Sequence, residues 1–513
     1  SRTQKSARLM MLGLSTILAT SMVVGEPAKA GPADNTLVWA SGVPPLTVDP
    51  YFALDREINM VTAQLVFDGL VYIHPETQKF EPLLAKSWKW VDDTTLSFEL
   101  RNDVTFHDGT RFTSADVVAT LNYVSNPKNG AANQQNVNWI KTVEANGDHA
   151  VTIRLHKPFP AALDYLAQLL PIFQKDAYTT NADAPPAKRF VGTGPYRFSE
   201  FVSGASITIL PAEKRLMNSP KGDPKFVQIK YRGLPDQATQ VAELLSGNVD
   251  WIWRVSPDMG GQLSKSPALS VINAESMRVS MLSYNIRDKA GKNPLQDSRV
   301  REAIAIAINR KAIVDNVVGQ GGEVIDTPCY KTQFGCNTKV PHRAFDQAKA
   351  KKLLAEAGYA TGLKLSFIGW RNKEWLEIIA SQLGEVGIKV DAQFMQNSAG
   401  RQLIQDNKAE LVHQDWGSYS INDVSAIYNP FFTGGPDDIT RDAEVTKLVN
   451  EGGATSNSAK RIDYYNTVEN RILNQFFWVP LWSHPTSYAF NKKLKFNAFA
   501  DENPRFFLSS WSK

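Results

Sequence analysis

Residues 363–394 read LKLSFIGWRNKEWLEIIASQLGEVGIKVDAQF, and their periodicity changes twice. Leu363, Leu365 and Phe367 occupy alternate positions, the spacing of one strand face. A helix is predicted from about Lys373 to Glu385, and Gly387 ends it. Ile388, Val390, Ala392 and Phe394 then resume the alternation. Strand, helix and strand on short connections form a right-handed parallel crossover. Upstream the design recurs. Phe226–Arg232 reads as a strand with Val227, Ile229 and Tyr231 on one face, and Gly233–Pro235 as a turn. A helix follows from Asp236 to Ser246, Gly247 stands at its left-handed cap, and Val249–Val255 is an apolar strand. The two units are more than a hundred residues apart, which predicts two α/β lobes. Trp251 and Trp253, two apart on one strand face, belong either to the core or to a cleft between those lobes.

The region from about 75 to 190 has a different character. Trp88–Trp90, Thr95–Leu100, Val104–His107 and His149–His156 read as short β segments, with turns at Asp92-Asp93, Asp108-Gly109 and Asn146-Gly147. A helix begins after Thr113, with Asp116 placed for a capping box. These signals predict an α+β insert. Ala182–Ala187, rich in Pro and Ala, reads as a connection between lobes.

At 513 residues, with 43% apolar side chains, the chain has material for two or three cores. Its first thirty residues are set apart. Arg2, Lys5 and Arg8 form a basic head, an uncharged apolar run spans Leu9–Val24, and Ala28-Lys29-Ala30 offers small residues at a cleavage point. That order predicts a secretory signal peptide cut after Ala30. A permanent anchor is the alternative, but sixteen residues are short for a span of about 20. Residues 1–30 carry +3 of the chain's +4, so the remainder is +1. Such a balance gives no support for nucleic-acid or membrane-surface binding. Cys329 and Cys336 are the two cysteines. A local disulfide is expected outside the cytoplasm; free thiols and a metal site are the alternatives, the last needing more ligands than His342.

Four segments in order carry a family likeness. Residues 81–88 (EPLLAKSW), 96–101 (LSFELR), 104–110 (VTFHDGT) and 113–118 (TSADVV) make up the first. Residues 192–196 (GTGPY), 297–310 (DSRVREAIAIAINR) and 345–359 (FDQAKAKKLLAEAGY) are the others. Together they resemble the family-5 extracellular solute-binding proteins of ABC importers, which take up peptides, nickel and opines. The resemblance implies an α/β periplasmic-binding-protein (Venus-flytrap) fold with two α/β lobes plus an α+β insert lobe. The first lobe would comprise 31–74, 190–276 and 486–513, the insert 75–189, and the second lobe 277–485. It also implies a monomer in the periplasm that closes on a small solute (a peptide, opine or sugar-like molecule) and hands it to an inner-membrane permease with its ATPase, without cofactor or metal.

By the same resemblance the cleft would be lined by Leu46 and Asp49 of the Gly42–Tyr51 loop, Thr193 and Gly194, and Tyr284 and Asn285. Asp415, Trp416, Ser418, Tyr419 and Asp423 fall in the segment where peptide-binding relatives hold the ligand's amine. Trp416 is either lobe packing or an apolar wall. Where those relatives carry an Asp, this chain has Tyr419. A buried ammonium without a paired charge is costly, so either Asp415 or Asp423 substitutes or the ligand is not a free-amine peptide. Arg371 stands near a carboxylate-binding position, or else is a solvated Arg at a helix start. Nickel binding would want convergent histidines, and only His413 lies near the cleft segment.

A secreted hydrolase is the rival class. The chain has no Gly-x-Ser-x-Gly elbow, no His-Glu-x-x-His and no phosphate loop, and Gly192-Thr-Gly194 lacks the third glycine of a dinucleotide fingerprint. A distant carboxylate pair remains open to a glycosidase. A periplasmic chaperone or signalling receptor on the same fold is a third reading.

Overall fold

The computed structural model describes residues 30–512, so the predicted leader, apart from Ala30, lies outside them. Among the described residues no helix is long and apolar enough to cross a membrane.

The predicted crossover at 363–394 is present. Leu363–Gly369 pairs in parallel with Ile388–Phe394, and the helix Lys373–Glu385 lies between them in the chain. Asn372 caps the helix by accepting from the Trp375 amide, and Gly387 takes the left-handed conformation at φ +89° that stops it. Leu411–Trp416 joins the other edge of Leu363–Gly369. Apolar residues alternate inward here because helices cover the sheet: Leu365, Phe367, Ile379, Leu383 and Ile388 share one buried cluster.

The upstream unit is also present, with one strand interposed. Gln228–Gly233 and Trp251–Trp253 flank Thr36–Ser41, which runs parallel to both. The helix Gln237–Leu245, capped by Asp236, makes the crossover. Ile229 and Tyr231 are buried as predicted, whereas Val227 precedes the strand and is exposed. Trp251 and Trp253 are core residues, with the Trp251 ring 5.1 Å edge-on from Phe506.

Two long antiparallel strands, Leu269–Tyr284 and Trp478–Asn491, join these halves into one sheet. Tyr488–Phe490 of the second strand pairs with Trp251–Trp253 of the first half, and Val279–Tyr284 of the first strand pairs with Leu411–Trp416. Between Glu275 and Val279 the register shifts, and it shifts again at Ser280/Met281. Such irregularities bend and twist a strand. The sheet is therefore narrowest and least regular where its halves meet.

The insert forms its own antiparallel sheet in the order Ala85–Asp92, Thr95–Leu100, Ala150–Leu155, Ile140–Ala145. The helix Ser114–Ser125 lies on it and carries the predicted capping box between Thr113 and Asp116. Val104–His107 is not a strand; it contributes a single bridge, Thr105 to Arg111. Leu96, Phe98 and Val151 share a buried cluster with Trp39 and Tyr231, so the insert packs against the first half. Cys329 and Cys336 form a disulfide, which consumes both sulfurs and removes the free-thiol and metal alternatives.

Candidate functional site

The waist gathers charged and hydrogen-bonding side chains from three strands. Ser276, Arg278 and Ser280 put polar side chains at alternate positions of the strand, between Met277, Val279 and Met281, and His484 faces them from its partner strand. His413 and Asp415 come from the adjacent strand Leu411–Trp416. Ser280 Oγ lies 3.0 Å from His413 Nε2 and 3.0 Å from His484 Nε2. A hydroxyl can donate to one imidazole and accept from the other. Burial holds both rings uncharged, His413 at about 4 and His484 at about 3.

Beside them runs a row of alternating charges. Arg371 and Arg278 both donate to Asp415 Oδ2, each at 2.6 Å. Arg278 Nε lies 3.7 Å from Glu502 Oε2, and the charges of Arg56 and Arg254 also act on Glu502. Burial opposes ionisation of Asp415, but His484 and the Arg371 and Arg278 guanidiniums hold its carboxyl well below the usual range. Burial likewise opposes ionisation of Glu502, yet Arg278, Arg56 and Arg254 bring it to about 2. Both are carboxylates at neutral pH.

Gly417 makes this row possible: a Cβ there would stand 2.8 Å from Arg278 Nη2. The chain then turns through three consecutive left-handed residues, Ser418, Tyr419 and Ser420, at φ +53°, +50° and +63°. None is glycine, and each such residue costs about 1–3 kcal/mol unless its surroundings enforce it. Here the first half and the insert packed on it enforce it. Gln168 Nε2 donates to Ser420 O at 2.7 Å, Arg56 Nη1 to Ser420 Oγ at 2.7 Å, and Ser420 Oγ to Asp501 O at 2.5 Å. Asp164, one helical turn before Gln168, accepts from the Asn422 amide. Burial pushes its carboxyl up to about 8, and the like charge of Asp423 adds to that. Farther out, the Ser456 amide and hydroxyl donate to Asp93 at 2.7 and 2.6 Å. The halves thus touch from the waist to the rim.

Several buried polar atoms along this seam have no hydrogen-bond partner among the described residues. They include Asp415 Oδ1, His413 Nδ1, Ser418 Oγ, Gln168 Oε1 and Asn422 Oδ1.

The expected cleft residues divide into two groups. Arg371, Asp415, Ser418 and Tyr419 lie at the seam; Arg371 is exposed just before the helix Lys373–Glu385, as in the alternative reading, and pairs there with Asp415. Tyr419 is 49% exposed and edge-on to Trp416 at 5.1 Å. Trp416 also donates Nε1–H to Ala426 O at 2.8 Å and packs on Phe431, so it serves lobe packing with one edge toward the seam. Asp423 is buried in a two-pronged pair with Arg461, at 2.8 and 2.9 Å.

Tyr284 and Asn285 correct the expectation. Tyr284 is buried in the second half and donates to Arg301 O, while Asn285 ties the Ala409 and Asn407 turn. They sit at the strand end remote from the waist. Thr193 and Gly194 also serve packing: Thr193 Oγ donates to Asp68, which pairs with buried Lys221. Gly194 lies flush on Val66, where a Cβ would meet its carbonyl carbon at 2.7 Å. Asp49 accepts from Tyr51 N and Tyr178 Oη, and burial lifts it to about 6. Leu46 is 76% exposed.

Arg56, Arg254, Arg278, Glu502, His484, Gln168 and Asp164 were not anticipated. They come from separate segments, and only the polar alternation at Ser276, Arg278 and Ser280 offered a local signal.

Residues 79–438 match the family model for bacterial extracellular solute-binding proteins, family 5, middle region. The chain is 23% identical over 529 residues to heme-binding protein A of Haemophilus influenzae, covering 95% of this chain and 94% of that protein. It is 26% identical over 499 residues to the glutathione-binding protein GsiB of Shigella dysenteriae, covering 94% and 95%. The solved structure of HbpA2 from Haemophilus parasuis superposes with a TM-score of 0.79 at 23% identity, over 93% of this chain and all of that one.

Proposed function

This chain belongs to the family-5 bacterial extracellular solute-binding proteins, and from that membership we propose that it catches a short peptide or related polar solute between its two halves. Members of the family are substrate-binding components of ABC importers; the chain is a binding protein and not an enzyme. Its fold is the two-lobed periplasmic-binding-protein architecture with an insert. In our reading it works in the periplasm after cleavage behind Ala30 and delivers its solute to a permease driven by an ATPase.

The seam carries the proposal. Polar side chains from both sides meet there: Gln168 Nε2 donates to Ser420 O and Arg56 Nη1 to Ser420 Oγ, and Asp415, in the strand that leads into that turn, holds Arg278 and Arg371. A ligand shifts a hinge equilibrium only if it contacts the closed arrangement better than the open one, and groups from both halves provide that difference. Arg371, Asp415, Ser418 and Tyr419 would contact the solute from the second half. Arg56 and Arg254 would do so from the first, and Asp164 and Gln168 from the insert packed on it. Glutathione, the solute in the name of one relative, is itself a short peptide. Opine-type conjugates are the second reading, favoured by Tyr419 standing where an amine-binding carboxylate was expected.

Native mass spectrometry of the purified chain, followed by uptake in cells lacking it, tests the proposal. A retained small molecule, and loss of its uptake without the protein, are expected. Chemical turnover of that molecule, or unchanged uptake, would refute it.

A further inference from the structure

We propose that the loop closed by the Cys329–Cys336 disulfide is a buttress: through Gln333 and Phe334 it holds the strained turn Ser418–Ser420 in shape while the halves are apart, so that solute affinity depends on the bridge. The inference rests on the solute-binding reading and adds what prepares the second half for capture. Gln333 and Phe334 are positioning residues in it and touch no solute.

The turn needs such a support. Ser418, Tyr419 and Ser420 are left-handed with no glycine among them, a conformation that persists only where the surroundings impose it. The bonds from Gln168 and Arg56 to Ser420 reach the turn from the insert and the first half. In the solute-binding reading they are lost when the halves separate. What keeps the turn in shape at that moment belongs to the second half.

The disulfide loop grips the residues that leave the turn. Gln333 Nε2 donates to Ile421 O at 3.0 Å and the Phe334 amide to Asn422 O at 2.9 Å. The Val424 amide returns a bond to Phe334 O at 3.1 Å, so that Phe334 and Asp423 form a parallel bridge. Gln333 is buried, and its Oε1 accepts from the Tyr330 amide at 3.0 Å. Arg461, which holds Asp423 with both prongs, lies 4.8 Å from the Phe334 ring. Gly335 sits at φ +87°, and a Cβ there would stand 2.9 Å from both Val424 Cγ2 and Tyr465 Cδ2. The fit is close along its whole length.

The bridge is what keeps the loop in place. Residues 325–346 contain no helix or strand of their own, so ladders within the segment do not restrain it. Ring closure removes freedom that such a segment otherwise keeps, and opening the ring restores it. A turn that holds its binding shape for only a fraction of the time binds with an affinity reduced by that fraction.

The test uses the full purified chain with its bridge intact, reduced, and reoxidised. Excess dithiothreitol is the reductant; it closes to its own cyclic disulfide as the two sulfurs become thiols. Cys329→Ser/Cys336→Ser and Gln333→Met are read alongside, the second keeping the bridge while removing both bonds of the Gln333 amide. Amide hydrogen exchange without added solute is followed in peptides covering 418–426 and 363–369. Calorimetry measures binding of trialanine, a short-peptide probe. Exchange at 418–426 should be about tenfold faster in the reduced chain and both variants, with 363–369 unchanged. Trialanine should bind more weakly by a similar factor, and reoxidation should restore both values.

Unchanged exchange at 418–426 overturns the inference. So does a rise shared equally by 363–369, which marks general loosening, and so does local loosening with undiminished trialanine affinity. Faster exchange confined to 418–426 in a chain that never binds trialanine upholds the buttress and counts against the short-peptide reading.

Discussion

Gln168 donates its side-chain amide to the backbone carbonyl of Ser420, 2.7 Å away and 252 residues later in the chain. This bond ties the helix Ala162–Gln168, beside the first half, to the strained turn of the second. Its partner is a backbone carbonyl in a left-handed run, so it supports both closure and the shape of the site-bearing loop.

Gln168→Ala should therefore weaken solute binding without unfolding either half. One net hydrogen bond of about 1 kcal/mol corresponds to roughly fivefold in affinity. Titration calorimetry of the variant with the co-purifying solute checks this; an unchanged dissociation constant would show that the contact is idle.

Asp164 makes closure sensitive to pH. Burial at the seam raises its carboxyl from 3.8 to about 8, so the closed form prefers the protonated acid. When the lobes separate, the group returns toward its ordinary value. The sign follows: closure is favoured at low pH and loses support as pH rises from about 4 to about 8. Solute affinity should decline across that window, and Asp164→Asn should flatten the profile. A variant with the native slope would place the titrating group elsewhere.

Gly417→Ala sets a methyl 2.8 Å from Arg278 Nη2. Either the guanidinium retreats from Asp415, leaving that buried carboxylate with Arg371 alone, or the loop shifts. A loss of about 1–3 kcal/mol is expected, read as a lower urea midpoint, together with weaker solute binding. Native stability in this variant would mean that the close approach is not required.

Much of the architecture was legible because it is local. The strand at 363–369, its helix and the return strand announce themselves through spacing and caps within about thirty residues. Thr113 and Asp116 likewise form their box between neighbours in the chain. The site was legible only in part, because its members meet through long-range pairing. Arg278 reaches Asp415 across 137 residues, and no spacing rule encodes that meeting. Tyr284 misled for the same reason: its position just after the waist says nothing about direction, and the strand carries it into the core before it ends. Leu46 and Asp49 do lie in a first-half loop, but hydrogen bonding turns Asp49 inward onto Tyr51 and Tyr178.

Cys329 and Cys336 close a short loop packed on Glu469 and Tyr428. Cys329→Ser/Cys336→Ser should lower stability by about 2.5 kcal/mol, the chain-entropy value for so small a loop. Denaturant midpoints with and without reductant check this: reductant should shift the native chain to the variant's midpoint and leave the variant unmoved.

The central claim is that two α/β halves close about the Leu269–Tyr284 and Trp478–Asn491 waist on a solute held between them. Small-angle X-ray scattering tests it most directly, on protein stripped by unfolding and refolding, before and after its released small-molecule fraction is restored. The account predicts a larger radius of gyration for the stripped protein and recovery of the compact profile on addition. Superimposable profiles in the two states would contradict it.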